Sequence, residues 1–204
     1  MRRNEFEVHD PKTIQEVLDR CDYGVLSILS NNEPYGVAVN FVYHDGAIYF
    51  HGSREGRKAE AIGTKTKGSF LVVQPYAYLP SYFSDTRSAC PATHYFASVH
   101  VSGTVTPIEV SAHKAKALNA LMQKHQSEGG YETITPENPI YTKMLEKTGV
   151  YHIAIDQMSL KVKAGQNLSQ EQRERLIDKL HERNDAGDSA TIQAIKEHTP
   201  CITK

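Results

Sequence analysis

Between residues 95 and 106 polar and apolar side chains alternate: Val99, Val101 and Val105 fall on one side, Ser98, His100, Ser102, Thr104 and Thr106 on the other. A period of two predicts a half-buried antiparallel strand, with Gly103 marking a bulge or a close approach. The same period returns at 150–156, where Tyr151, Ile153 and Ile155 point one way. Residues 25–29, 35–43, 47–51 and 69–74 are short runs rich in Val, Ile, Phe and Tyr and read as further strands. Asn31-Asn32 and Asp45-Gly46 separate three of them. Asp-Gly between two such runs is a strong hairpin signal, because both central residues take positive φ.

Elsewhere the period lengthens to that of a helix. Asp10-Pro11 opens one, with Ile14, Val17 and Leu18 on its inner face. Residues 53–62 read as a short helix ended by Gly63, and Ser111 as the cap of another carrying Ala115, Leu118, Leu121 and Met122. A short piece follows Pro139, and 168–204 is polar, charged and helical in pattern. Residues 75–93, with Pro75, Pro80 and Pro91, show no period and are predicted to be a long loop. The sum is a mainly β chain, α+β by content: a small barrel of about six antiparallel strands with peripheral helices. Residues 1–165 are expected to form the barrel domain and 166–204 a C-terminal helical extension.

Composition narrows the function classes. The 204 residues are 39% hydrophobic, enough for a core, and 23 Lys and Arg against 24 Asp and Glu leave a formal charge of −1. That balance argues against a coat for nucleic acid or an anionic membrane. Cys21, Cys90 and Cys201 are far apart and odd in number, which suits a reducing compartment rather than a disulfide framework. The first residues carry charges where a signal peptide needs an apolar run, and no stretch approaches the ~18 residues of a membrane helix, so a soluble, cytoplasmic protein is expected. Ten histidines show no HExxH and no tight cluster, so no metal site is predicted. The mixed charges of EQRERLIDKLHER suit a solvated face better than a phosphate-tracking stripe.

The chemistry concentrates in IYFHGSREGRKAEAIG, residues 48–63. A strand ending at His51, then Gly52, then a helix beginning at Ser53 would place Arg54, Arg57 and Lys58 in its first turns. Helix N-termini prefer acids, so cations there are in conflict unless an anion joins them. A phosphate held by Arg57 and Lys58 would remove the conflict, although a solvated basic end would show the same residues. Neither GxxxxGK[ST] nor GxGxxG is present, so the ligand is not read as a P-loop nucleotide or a Rossmann dinucleotide.

The run PYGVAVNFVYHDGAIYFHGSREGRKAEAI resembles the core of the FMN-binding split-barrel family related to pyridoxamine 5′-phosphate oxidase, and within it the nitroimidazole-resistance type. CDYGVLS, SFLVV, HYFASVHVSGTV and VYHIAIDQMSLKVK extend the resemblance from about residue 23 to 156. It implies a homodimer with FMN, or the larger FAD, in a groove at the subunit interface. Val39 and Asn40 would meet the isoalloxazine edge, His51, Gly52 and Ser53 would line the turn beside the ribityl phosphate, and Arg57 with Lys58 would hold it. The other subunit would contribute Tyr95 and Ser98. Asn40 stands where the oxidase has a basic residue, and SLKVKAGQNLSQ lacks its C-terminal signature; both departures argue against pyridoxamine-phosphate oxidase activity itself.

A bound flavin brings its own redox chemistry, so no nucleophile–base pair is required of the protein. The resemblance thus implies an FMN-dependent oxidoreductase acting on a small aromatic or nitroaromatic substrate. His51 is the candidate catalytic group, orienting substrate or supplying a proton. Tyr76, Tyr78, Tyr82, Phe83, Tyr95 and Phe96 offer stacking partners or a dimer contact. The alternative is a flavin- or haem-binding protein without turnover, used for storage, sensing or sequestration.

Overall fold

The computed structural model describes residues 3–198; Cys201 and the end of the C-terminal extension lie outside them. The chain divides into two compact units. The first comprises Pro11–Val72 and Val99–Met158; the second comprises the N-terminal residues to Asp10, Val73–Ser98 and the chain from Ser159.

Among the described residues seven strands form one sheet: β1 (Glu7–Val8), β2 (Tyr23–Ser30), β3 (Glu33–His44), β4 (Ala47–Ser53), β5 (Thr66–Leu79), β6 (Thr93–Pro107) and β7 (Thr148–Lys163). Their order is β1-β7-β4-β3-β2-β5-β6, and β7 pairs again with β6, so six strands close a ring and the two-residue β1 hangs beside it. This is the antiparallel split barrel expected, with one short strand more. The helices are α1 (Pro11–Arg20), α2 (Arg57–Ile62), α3 (Ser111–His125), α4 (Pro139–Lys147), α5 (Gln170–Arg183) and α6 (Asp188–Glu197). They follow the helical segments read from the sequence, except that the C-terminal segment breaks into two, α5 and α6. Among the described residues no helix is long and apolar enough to cross a membrane.

In the first unit the two tight turns behave as their residues dictate: Asn31, Asn32, Asp45 and Gly46 all take positive φ, at 53°, 63°, 49° and 75°. The registers that follow put Leu26, Phe41, Ile48, Phe50, Phe70 and Ile153 fully inside. Phe41 and Phe70 meet edge to face at 5.1 Å. Gly103 is the predicted close approach: a Cβ there would stand 2.3 Å from the carbonyl oxygen of Ala154. Lys114 is buried and donates to the carbonyl oxygens of Leu145 and Thr148 at 3.0 and 3.1 Å, so its ammonium closes the C-terminus of α4. The cap of α3 is Val110, one residue before the Ser111 predicted for it.

In the second unit the predicted loop is shorter than its prolines suggested. β5 continues to Leu79, because the Ala77 amide donates to the buried Thr191 hydroxyl at 2.8 Å and Arg183 donates to the Tyr78 carbonyl at 2.9 Å. α5 opens on a capping box between Ser169 and Gln172 and closes on Asn184 at φ 51°. Arg183 then grips Asp188 at the start of α6 with both Nε and Nη2.

Candidate functional site

The first unit's second hairpin ends in the segment that the sequence marked out. β4 does not stop at His51. Gly52 and Ser53 stay extended because they pair with Gly149 and Thr148 of β7. Residues 54–56 form a bend in which the Glu55 amide donates to Ser53 Oγ at 3.0 Å, and α2 begins only at Arg57, after Gly56 at φ 86°. The expectation of a helix from Ser53 is thus corrected: a β ladder holds that residue, and the helix is six residues long. The arrangement also separates the three cations. Arg54 turns away, donating to Glu109 Oε2 at 3.0 Å and to the Glu146 carbonyl at 2.8 Å.

Arg57 and Lys58 remain at the exit of the hairpin. The Arg57 guanidinium lies 4.5 Å over the Tyr35 ring, donates to Ser30 Oγ at 3.2 Å and stands 3.6 Å from Glu33 Oε2. The last contact joins two exposed side chains and is weak. Lys58 points back along β4. Its Nζ donates to the Ser53 carbonyl at 3.3 Å and sits 4.1 Å over the Tyr151 ring, which is stacked on Phe50 at 5.2 Å. A Cβ on Gly52 would come within 3.1 Å of that ammonium, so glycine clears the space in which it lies. Burial pushes the Lys58 pKa down, with no acid opposing it.

His51, the residue before Gly52, is exposed and on the outer side of β4. The residue is exposed overall, but partial desolvation of its ring against its neighbours lowers its pKa, and Lys58 and His125 push the same way. On β3, Val39 is buried and Asn40 is exposed, with the Asn40 amide donating to the Asp22 carbonyl at 3.2 Å. His51, Gly52, Ser53 and Lys58 are therefore in one place, with Val39 and Asn40 on the strand paired with β4 and Arg57 on the following helix.

Tyr95 and Ser98 belong to the second unit. Tyr95 is buried, its hydroxyl pKa pushed up to about 12 by burial, and Ser98 alternates with it on the opposite side of β6. His94, in the same unit, packs its ring 4.9 Å from Tyr78.

Sequence reasoning missed Tyr151, which seats Lys58 and also donates its hydroxyl to the Ser53 carbonyl at 3.0 Å. Its role depends on the register Phe50↔Tyr151 between strands about a hundred residues apart, for which a single sequence holds no local signal.

The chain matches a family model described as pyridoxamine 5′-phosphate oxidase over residues 10–162. Among the solved structures with a similar fold are the following three. The flavocytochrome Anf3 from Azotobacter vinelandii is 24% identical, with a TM-score of 0.68, over 81% of this chain and 72% of that one. An FAD and heme binding protein from Mycobacterium smegmatis is 18% identical, with a TM-score of 0.65, over 78% and 74%. A candidate 5-nitroimidazole antibiotic resistance protein from Bacteroides thetaiotaomicron is 21% identical, with a TM-score of 0.60, over 76% and 86%. At these identities the likeness is one of fold. No curated protein matches the chain significantly.

Proposed function

The chain belongs to the pyridoxamine 5′-phosphate oxidase family, and from that premise we propose that it is an FMN-dependent oxidoreductase, a cytoplasmic homodimer acting on a small aromatic or nitroaromatic substrate. The observation that carries this reading is the pair Arg57 and Lys58 at the exit of the β3–β4 hairpin: two adjacent cations, one beside a single weakly held carboxylate and one with none. A terminal monophosphate is the partner that such donors match, through charge-assisted hydrogen bonds.

In this reading Arg57 and Lys58 hold the phosphate, Gly52 and Ser53 line the turn beside it, and Val39 and Asn40 present strand backbone to the ring system. The flavin, when bound, supplies the two-electron chemistry. The protein binds it, orients it and keeps water from its reactive edge. His51, kept neutral near pH 7 by its surroundings, orients the substrate through a ring nitrogen. The resistance protein of Bacteroides, similar in fold, motivates the nitroaromatic substrate.

A second copy has a natural seat. Tyr23, Val25, Leu29 and Leu71 stand on the outer side of β2 and β5, between 40 and 64% exposed. Across the ladder Val25 faces Ala38 and Tyr23 faces Asn40, so the apolar face runs up to the proposed flavin site. Such a face suits a buried interface with a second copy, to which Ser98 of that copy would contribute, while Tyr95, buried in its own subunit, would act only by holding β6 in place.

Purified protein should be yellow, release FMN on denaturation, bleach with NADH or NADPH under anaerobic conditions, and reoxidise when a nitroimidazole is added. Replacing both Arg57 and Lys58 by Ala should empty it of flavin. A colourless protein that takes up no added FMN overturns the proposal. A Soret band, or flavin that never turns over, favours the non-enzymatic flavin- or haem-binding reading, for which the flavocytochrome and the FAD and heme binding protein are the similar folds.

A further inference from the structure

A second concavity in the first unit shares none of the residues assigned to the flavin. It has a volume of about 410 Å³ and lies between the start of α3, the segment 107–110 before it, and the outer side of the sheet. We propose that it is a binding site for a planar aromatic carboxylate of one or two rings.

Four ring side chains from four elements meet there: His44 at the end of β3, Tyr49 on β4, His113 in the first turn of α3 and His152 on β7. Tyr49 and His152 face each other in the β4–β7 ladder, and their rings stack at 6.2 Å and 30°. The His44 ring stands 6.5 Å from Tyr49 at 59°. Pro107, Ile108 and Val110 supply an apolar wall. Flat rings and an aliphatic wall select a flat apolar ligand, and the volume is near the lower end of the ~300–1,000 Å³ usual for small-molecule sites. That sets the size at one or two rings.

The polar groups set the charge. The two acids at the rim are already engaged: Glu109 with Arg54 at 3.0 Å, Asp45 with Lys116 and, at 3.5 Å, with His44. Lys116 is the one ammonium among the lining residues, shared with Asp45, and the imidazoles of His113 and His152 are hydrogen-bonding groups that, among the described residues, no carboxylate engages. The first turn of α3 contains no acid and no side-chain cap, which adds to the preference for negative charge. His152 Nδ1 is buried with no hydrogen-bond partner among the described residues, so one wall of the cavity carries an unmet polar atom. Among the described residues no group of three His, Cys, Asp or Glu is placed to hold a metal ion, so these imidazoles are read as stacking and hydrogen-bonding groups.

The test is an NMR titration of the full-length protein as purified, labelled with 13C in its histidine rings, with sodium benzoate and sodium 2-naphthoate as probes and benzamide as the neutral control. Saturable shifts of His44, His113 and His152, with His94 and His181 still, are expected, and benzamide should bind about tenfold more weakly or worse. Val110→Trp, a change at an exposed position that fills the cavity, should abolish the shifts while the other histidine signals keep their positions. Shifts that rise linearly and equally at all histidines, or that survive Val110→Trp, overturn the site; equal binding of benzamide overturns its charge class. The double variant Arg57→Ala, Lys58→Ala separates this proposal from the flavin reading. Loss of the yellow colour with the benzoate shifts intact supports an independent site, and loss of those shifts together with the flavin overturns its independence.

Discussion

The ammonium of Lys58 lies 4.1 Å above the centre of the Tyr151 ring, and both side chains donate to the same acceptor, the carbonyl oxygen of Ser53. A lysine placed so is partly stripped of water, is attracted by a π face, and has no carboxylate to satisfy it. The cation is therefore aimed and stiffened but not neutralised. An anion arriving at the hairpin exit would meet a donor already held in place.

Lys58→Ala should accordingly weaken FMN binding about 10- to 100-fold, the ~1.5–3 kcal/mol of a hydrogen bond to a charged group. Tyr151→Phe keeps the ring under the ammonium and should cost much less; Tyr151→Leu removes the π face and should fall between the two. Flavin fluorescence titration of the apoprotein checks the order. Equal effects of Phe and Leu would show that the hydroxyl, and not the ring, seats the lysine.

Glu33 competes with the flavin in this picture. Its carboxylate is 3.6 Å from the Arg57 guanidinium, and both side chains are well exposed, so the pair is worth only about 0.2–1 kcal/mol. Glu33→Gln frees the guanidinium and should tighten FMN binding about two- to five-fold, with the gain shrinking as salt rises. The same titration at low and high ionic strength reads it. A weaker affinity in the variant would mean that Glu33 positions Arg57 instead of competing for it.

The parts of this arrangement that were legible in the sequence are those with local causes. Asn31-Asn32 and Asp45-Gly46 announced their hairpins because few other residues accept positive φ in succession. The alternation around Val99 and Val105 announced β6 because one side is buried and the other is not. The larger departures have distant causes. Ser53 is a strand residue because Thr148 pairs with it, and Arg54 leaves the other two cations because Glu109 and the Glu146 carbonyl collect it. β5 outruns its prolines because Thr191, more than a hundred residues on, satisfies the Ala77 amide. Adjacent Arg57 and Lys58 were visible as a pair; their separate seats on Tyr35 and Tyr151 were not, since each depends on a strand register.

Arg183 and Asp188 tie α5 to α6 in the second unit, with Asp188 only 2% exposed. The hydrogen bonds from Arg183 hold the Asp188 carboxyl below the usual carboxylate range, against a burial that would raise it. A carboxyl depressed in the folded state stabilises the fold above the unfolded value of ~3.9 and loses that contribution as pH falls through the folded value. Acid melting should therefore include this pair. Asp188→Asn removes the buried counter-charge of Arg183, leaving only the exposed Asp185 carboxylate 3.5 Å away, and should cost about 3 kcal/mol at pH 7, with a shallower loss of stability in acid. Thermal melts of the full chain at both pH values test this; an unchanged acid slope would place the sensitivity elsewhere.

His51 makes the sharpest prediction about pH. Burial depresses its pKa, and the charges of Lys58 and His125 add to the effect, so the imidazole stays neutral below the ordinary ~6.5. If it orients substrate in that form, the rate at which a nitroimidazole reoxidises the reduced protein should be level between pH ~6.5 and 8 and decline only in more acidic solution. His51→Gln retains a hydrogen-bonding amide and should lower the plateau about tenfold while removing the acid decline. Stability has the matching sign. A histidine whose folded pKa is lowered takes its proton first in the unfolded chain, so its neutral form supports the fold above ~6.5 and is a growing liability as pH falls from there. The variant should lose less stability than the parent on going from pH 7 to pH 5. A rate that instead climbs on acidification, with its midpoint at or above the ordinary imidazole value, would mean that the protonated ring donates to the substrate, and the neutral orienting role would have to be given up.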